Sequence, residues 1–233
     1  MATTPDLADW WRQYSRDYTH RTWRDYRHLL AETIRYSSGP PLLDVGCGFG
    51  FLVECARQFG LTAIGLEASE HALAECRQRH PHADVRRWHA GESLPLGNDS
   101  IGAAMLNQII DHIPVEANRL LFGELQRVLR PDGILIVHSP SKYNRAERRN
   151  DIGHITFFAP SEFRAFVATF GFDVIVQPYH AQRLFENRFG RLLVRAIGRA
   201  FRPERLAATI DLVAVKKPLS DSKQVGPDGE HAC

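Results

Sequence analysis

An apolar run that ends in three alternate glycines, Leu42-Leu43-Asp44-Val45-Gly46-Cys47-Gly48-Phe49-Gly50, constrains this chain more than any other segment. Glycines so placed let the backbone turn sharply at a strand end and approach a ligand closely before a helix begins. From there apolar runs alternate with helix-like stretches. The runs at 42–45, 62–67, 84–88, 101–106, 134–138 and 172–178 predict strands, and the stretches at 51–59, 70–79, 115–129 and 161–170 predict helices. Ser161 reads as the N-cap of the last helix and Gly171 as its stop. Alternation of this kind predicts an α/β fold, a mostly parallel sheet with helices on both faces. A further helix pattern at 183–202 precedes a final strand at 209–215.

Length and charge narrow the classes. At 233 residues the chain fits one large domain, and 44% hydrophobic with 24% charged residues is an ordinary globular mixture. A net charge of +2 provides no global field for nucleic acid. Apolar runs fall short of the ~20 residues of a membrane span. The N-terminal stretch has no apolar h-region, which argues against a secretory signal. Cys47, Cys55, Cys76 and Cys233 show no paired spacing, so reduced thiols in a cytoplasm are the expectation. Residues 1–39 form an aromatic-rich helical segment expected to pack over the cleft, and the aperiodic 218–233 reads as a disordered tail.

A dinucleotide loop calls for G-x-G-x-x-G, but the third glycine position here is Phe51. About twenty residues on, the second run ends at Glu67, where a carboxylate can accept both hydroxyls of a ribose. Alone, the loop can be a generic turn and Glu67 a solvated helix cap. Together they favour an adenosine-containing ligand without a pyrophosphate.

With these motifs the chain resembles the class I S-adenosylmethionine-dependent methyltransferases, in the branch that acts on small molecules. Beside the glycine loop and Glu67, the resemblance rests on Glu92-Ser93-Leu94-Pro95-Leu96, on Ile110-Asp111-His112-Ile113-Pro114, and on Glu124 through Gly133. It covers roughly residues 40–180. It implies a Rossmann-like seven-stranded, mostly parallel sheet with an antiparallel last strand, in a domain over 40–217. It also implies S-adenosylmethionine as cofactor, with Asp44, Gly46 and Gly48 along its methionine end and Cys47, Gly50 and Ala68 also among the cofactor-binding residues. Glu67 would hold the ribose diol, Gly91 and Glu92 would lie at the adenine, and Asn107 beside the sulfonium and methionine moiety. Two positions depart from the family pattern. Ala90 stands where an acid usually meets the adenine amine, and Gly102 where the fourth strand usually has an aspartate.

Displacement at a sulfonium needs mainly a well-placed nucleophile, but a hydroxyl acceptor must also lose its proton. His112 and His154 are the candidate bases, each with a plainer alternative as a turn or loop-packing residue. The histidines show no metal-ligand spacing, so no metal is expected. The loop after the fourth run, Asn107-Gln108-Ile109-Ile110, lacks the Asn/Asp-Pro-Pro-aromatic segment of nucleobase amino methyltransferases. The expected acceptor is a small molecule, oxygen favoured: a quinone, sugar, lipid-like compound or natural product. Residues 181–205 are rich in arginine along one helical face, opposite an apolar face. That insertion is an ordinary packed helix, a lid for an anionic or lipid-like acceptor, or a peripheral membrane contact. The competing functions are a non-catalytic cofactor-binding accessory protein and an NAD-linked dehydrogenase. The sequence leaves oligomeric state open.

Overall fold

The computed structural model describes residues 20–150, 153–177, 204 and 207–217. The 181–205 insertion, apart from Glu204, lies outside the described residues, as do residues 1–19 and the tail from 218. The described chain opens with a 3-10 turn, Trp23–Tyr26, running into α1 (Arg27–Tyr36). There follow β1 (Leu42–Val45), α2 (Phe51–Gln58), β2 (Ala63–Glu67), α3 (Glu70–Arg79), β3 (Asp84–Arg87) and β4 (Ile101–Asn107). The second half contributes α4 (Val115–Val128), β5 (Leu129–Pro140), a short α5 (Glu147–Asn150), α6 (Pro160–Ala168), β6 (Phe172–Val176) and β7 (Thr209–Lys216).

The seven strands lie in the order β3-β2-β1-β4-β5-β7-β6, and β7 runs antiparallel to both neighbours. The order reverses between β1 and β4, so a crevice opens at the strand C-termini where the glycine loop emerges. Central strands read as continuous apolar runs because both faces are covered: β1 is buried throughout, as is β4 up to Asn107. On one face Leu43, Val45, Leu66, Ala104 and Leu106 meet α4 and α6 through Leu121, Phe122, Leu125, Phe163 and Val167. On the other, Leu42, Ala103, Met105 and Ile136 meet Leu29 and Leu30 of α1 and Leu52, Cys55 and Ala56 of α2.

Two local expectations differ from the structure. Ser161 is not the N-cap: Ala159 is, with Pro160 as the first helical residue, where its missing N–H goes unmissed. The Ser161 N–H and hydroxyl instead donate to Glu204. β5 begins at Leu129 rather than near 134, because the turn-like Pro131-Asp132-Gly133 is absorbed in an irregularity of its pairing with β4.

Candidate functional site

The register of the sheet places one row of residues along the crevice. Asp44 pairs with Gly65 and Met105, and one step nearer the C-terminal edge Asn107 pairs with His138 and His138 with Asp211. Side chains two apart share a face, so Asp44, Glu67, Asn107, His138 and Asp211 all stand on the face covered by α1 and α2. Asp44 is buried, and burial followed by the nearby Glu67 carboxylate pushes its pKa up to about 7.

Gly46, Gly48 and Gly50 all have positive φ. A Cβ at Gly46 would stand 2.8 Å from Ile109 Cδ1, and one at Gly50 would run into Cys76 Sγ of α3. Gly50 therefore serves helix packing, and Gly48 lies nearest to Glu67: its N–H donates to Glu67 Oε2 at 3.0 Å. The N–H groups of Ala68 and Ser69 donate to Oε1, each at 2.8 Å. Burial raises the Glu67 pKa against the opposing pull of these three N–H groups. Cys47 is buried beside them, and burial pushes its thiol up, so it packs rather than reacts. Gly91 has φ 98° and nothing within 4 Å of where its Cβ would be. The Glu92 side chain folds back to accept the His89 N–H at 3.2 Å, and its carbonyl accepts Trp88 Nε1–H.

Beyond Asn107 the chain turns through Asp111 and His112 into α4. Buried Asn118 fixes this turn by donating Nδ2–H to the carbonyls of Ile110 and Ile113. A phenylalanine cluster of α4 and α6, with Phe158 5.3 Å from Phe163, holds the following loop close. That loop is tied to the turn. The N–H groups of Ile155 and Thr156 donate to the Asp111 carbonyl, and Thr156 Oγ1–H to that of Ile113. His154 thereby meets Asp111, Nε2 to Oδ2 at 2.7 Å, while Ser139 Oγ–H donates to Oδ1 at 3.2 Å. The His112 ring lies 4.5 Å from that of His154, its Nδ1 3.1 Å from the Gly153 carbonyl and its Nε2 3.6 Å from Asp111 Oδ2. A carbonyl only accepts, so Nδ1 of His112 carries the hydrogen. The His112 side chain is 20% exposed, those of Asp111 and His154 at most 4%.

Sequence reasoning named both histidines but not the carboxylate that joins them, although Asp111 precedes His112 in the chain. The three donor atoms lie within 4.8 Å of one another, a grouping with ligands 42 positions apart that no local spacing rule finds. A second cluster was missed altogether. His138 bridges Asp211 of β7 (Nδ1 to Oδ1, 2.7 Å) and Glu32 of α1 (Nε2 to Oε2, 2.9 Å), beside Asn107.

Residues 43–137 match the family model described as a methyltransferase domain. A probable S-adenosylmethionine-dependent methyltransferase of Mycolicibacterium smegmatis is 28% identical over 178 residues, covering 74% of this chain and 63% of that protein. Malonyl-acyl-carrier-protein O-methyltransferase of Pectobacterium atrosepticum is 37% identical over 103 residues, covering 42% and 38%. A solved S-adenosylmethionine-dependent methyltransferase of Archaeoglobus fulgidus superposes with a TM-score of 0.66 at 18% identity, covering 88% of this chain and 99% of that one; it speaks for the fold. The chain spans 63%, 43% and 57% of the length of three curated relatives it matches. Motif, sheet order and sequence match agree: residues 43–137 carry a methyltransferase domain, and the chain is similar to the S-adenosylmethionine-dependent methyltransferases.

Proposed function

We propose that the protein transfers a methyl group from S-adenosylmethionine to a hydroxyl of a small-molecule acceptor, with His112 taking the proton. Bound S-adenosylmethionine supplies a methyl carbon made electrophilic by its sulfonium. The crevice suits it: left-handed glycines leave the loop backbone bare, open space adjoins Gly91, and two buried carboxylates share one face. Asp44, with Gly46 and Asn107, would hold the cationic methionine end, and Glu67, Ala68, Gly91 and Glu92 the adenosine. Phe51 is buried and stacks on Tyr26 at 5.4 Å, filling the place a pyrophosphate loop leaves open, which speaks against a dinucleotide.

The observation that carries the oxygen reading is the Asp111–His154–His112 cluster at the acceptor side of Asn107. With Nδ1–H held by Gly153, Nε2 of His112 accepts the hydroxyl proton, and the Asp111 carboxylate stabilises the resulting imidazolium. His154 fixes that carboxylate and is a positioning residue. The named O-methyltransferase relative supports the same acceptor atom. The basic 181–205 stretch favours an anionic or lipid-like acceptor, and the free thiols of Cys47, Cys55 and Cys76 suit a reducing cytoplasm. No helix among the described residues is long and apolar enough to cross a membrane.

Assay against a panel of phenolic, sugar and carboxylic acceptors tests this. His112→Ala is expected to lower kcat about a hundredfold with little change in KM. Rates should survive dialysis against a chelator, since no step uses a metal. An unchanged kcat in His112→Ala, or activity restored only by added cation, would overturn the assignment.

Asp44 leads to a pH prediction. Its carboxyl stays protonated up to about pH 7, and only the ionised form pairs with the ligand's ammonium group. Affinity for S-adenosylhomocysteine is therefore expected to rise as pH increases through about 7, and Asp44→Asn to flatten that rise. Calorimetric titration across the range checks it, and equal slopes in both proteins would refute it.

A further inference from the structure

We propose that His89 contacts the cofactor and receives one of the two ribose hydroxyls, sharing with Glu67 the diol that a single carboxylate was expected to hold. The assignment rests on S-adenosylmethionine as cofactor and goes beyond it by naming a residue outside the family's pattern.

The first observation is the state of Glu67. A carboxylate offers about four acceptor sites. Three are taken by the N–H groups of Gly48, Ala68 and Ser69, bonds that hold the glycine loop and the entry to α3 in place. One site remains, on Oε2, and a ribose presents two hydroxyls. Vacating another would strand a buried backbone N–H, at a cost comparable to the bond gained. The second hydroxyl needs another partner.

The sheet supplies it. Gly65 pairs with Val85 and Glu67 with Arg87, and the Trp88 N–H donates to the Glu67 carbonyl at 3.0 Å. Val85 faces the glycine loop, its Cγ1 3.6 Å from where a Cβ on Gly50 would sit, whereas Trp88 is buried in the core of the opposite face. Position 89 therefore returns to the side of Glu67 and the loop. Its imidazole acts electrostatically on the Glu67 carboxylate. His89 Nε2 is buried and, among the described residues, has no hydrogen-bond partner. Such an atom costs stability unless something satisfies it, and a hydroxyl can donate to it or accept from it.

Neighbours do not compete for this role. Ala90 has no polar side chain, and Glu92 is occupied by the His89 N–H. The same bond, with Glu92 N–H to the His89 carbonyl, stiffens the 89–92 turn and presents the ring already placed.

The test is calorimetric titration of the full chain with S-adenosylhomocysteine and its 2′-deoxy and 3′-deoxy analogues, in wild type, His89→Ala, His89→Gln and Glu67→Gln. The wild type should lose affinity for each deoxy analogue. His89→Ala should bind the parent ligand about tenfold or more weakly, and should no longer distinguish it from one of the two analogues. His89→Gln should recover part of the loss, and thermal transitions near wild type would show the variants folded. Two results overturn the assignment while leaving the cofactor in place: unchanged affinity in His89→Ala with loss in Glu67→Gln, or equal analogue penalties with and without His89. Absence of binding in the wild type overturns the cofactor reading and this one together.

Discussion

Gly102→Ala is expected to destabilise the protein by about 3 kcal/mol or more, read as a lower urea midpoint at unchanged slope. A Cβ at this position in β4 would collide with the Gly39 carbonyl oxygen, a backbone atom that no side-chain rotation moves aside. Nor can the loop step back freely. The Gly102 N–H donates to the Pro41 carbonyl at 2.9 Å, Ser38 Oγ–H donates to the Gly102 carbonyl at 3.2 Å, and Arg130 holds the Pro40 carbonyl. Against a total stability of about 5–15 kcal/mol for a typical domain, such a loss removes a large share. Gly102→Asp, which installs the residue expected here from the family resemblance, should do worse, because it adds a charge to the same closed contact. A midpoint within scatter of wild type in either variant would show that the loop yields.

This glycine also shows where the sequence misleads. Beside a family pattern, Gly102 looks like a missing functional acid and gives weight to a non-catalytic protein. In the fold it sits at the start of β4, remote from the crevice, and its smallness is steric. Strands β1, β2 and β4 were legible because burial on two faces writes itself as unbroken apolar runs. The glycine loop was legible because its spacing is local. What could not be read depends on register and docking. Glu32 and His138 lie 106 positions apart, and His138 and Asp211 73, so no window contains them. Only the antiparallel pairing of β5 with β7 and the seating of α1 bring them together. His112 and His154 were each legible from their motifs, but their unequal exposure, on which the proposed division between base and positioning residue rests, is a property of packing. His89 belongs to no sequence motif, and the buried, unpartnered state of its Nε2 is likewise a property of packing.

The second large effect concerns that long-range cluster. Stability is expected to fall as pH rises through about 9, with α1 releasing first, and His138→Gln should abolish the fall. The side chain is 15% exposed. Burial opposes its charge, yet the hydrogen bonds to Asp211 and Glu32 outweigh that and raise the pKa from 6.5 to about 9. The sign follows: a base whose folded pKa is raised stabilises the fold fully below the unfolded value near 6.5, and the contribution drains away as pH climbs through the folded value. A rise of this size corresponds to about 3 kcal/mol at most. The groups facing the ring are the carboxylates of Glu32 on α1 and Asp211 on β7, with Thr209 Oγ1–H donating to the far Asp211 oxygen at 2.5 Å. Deprotonation removes the cation between two acids, and Glu32, on the only helix of the three elements, moves most easily. α1 otherwise rests on Leu29 and Leu30, so its inner face stays covered while its crevice end lets go. Urea melts between about pH 7 and pH 10, with amide exchange along residues 27–36, measure both parts. Wild type should lose stability across that range with exchange rising in α1, whereas His138→Gln should start lower and stay level. Parallel pH curves for the two proteins would mean that the alkaline sensitivity arises elsewhere and that α1 is held by its apolar face alone.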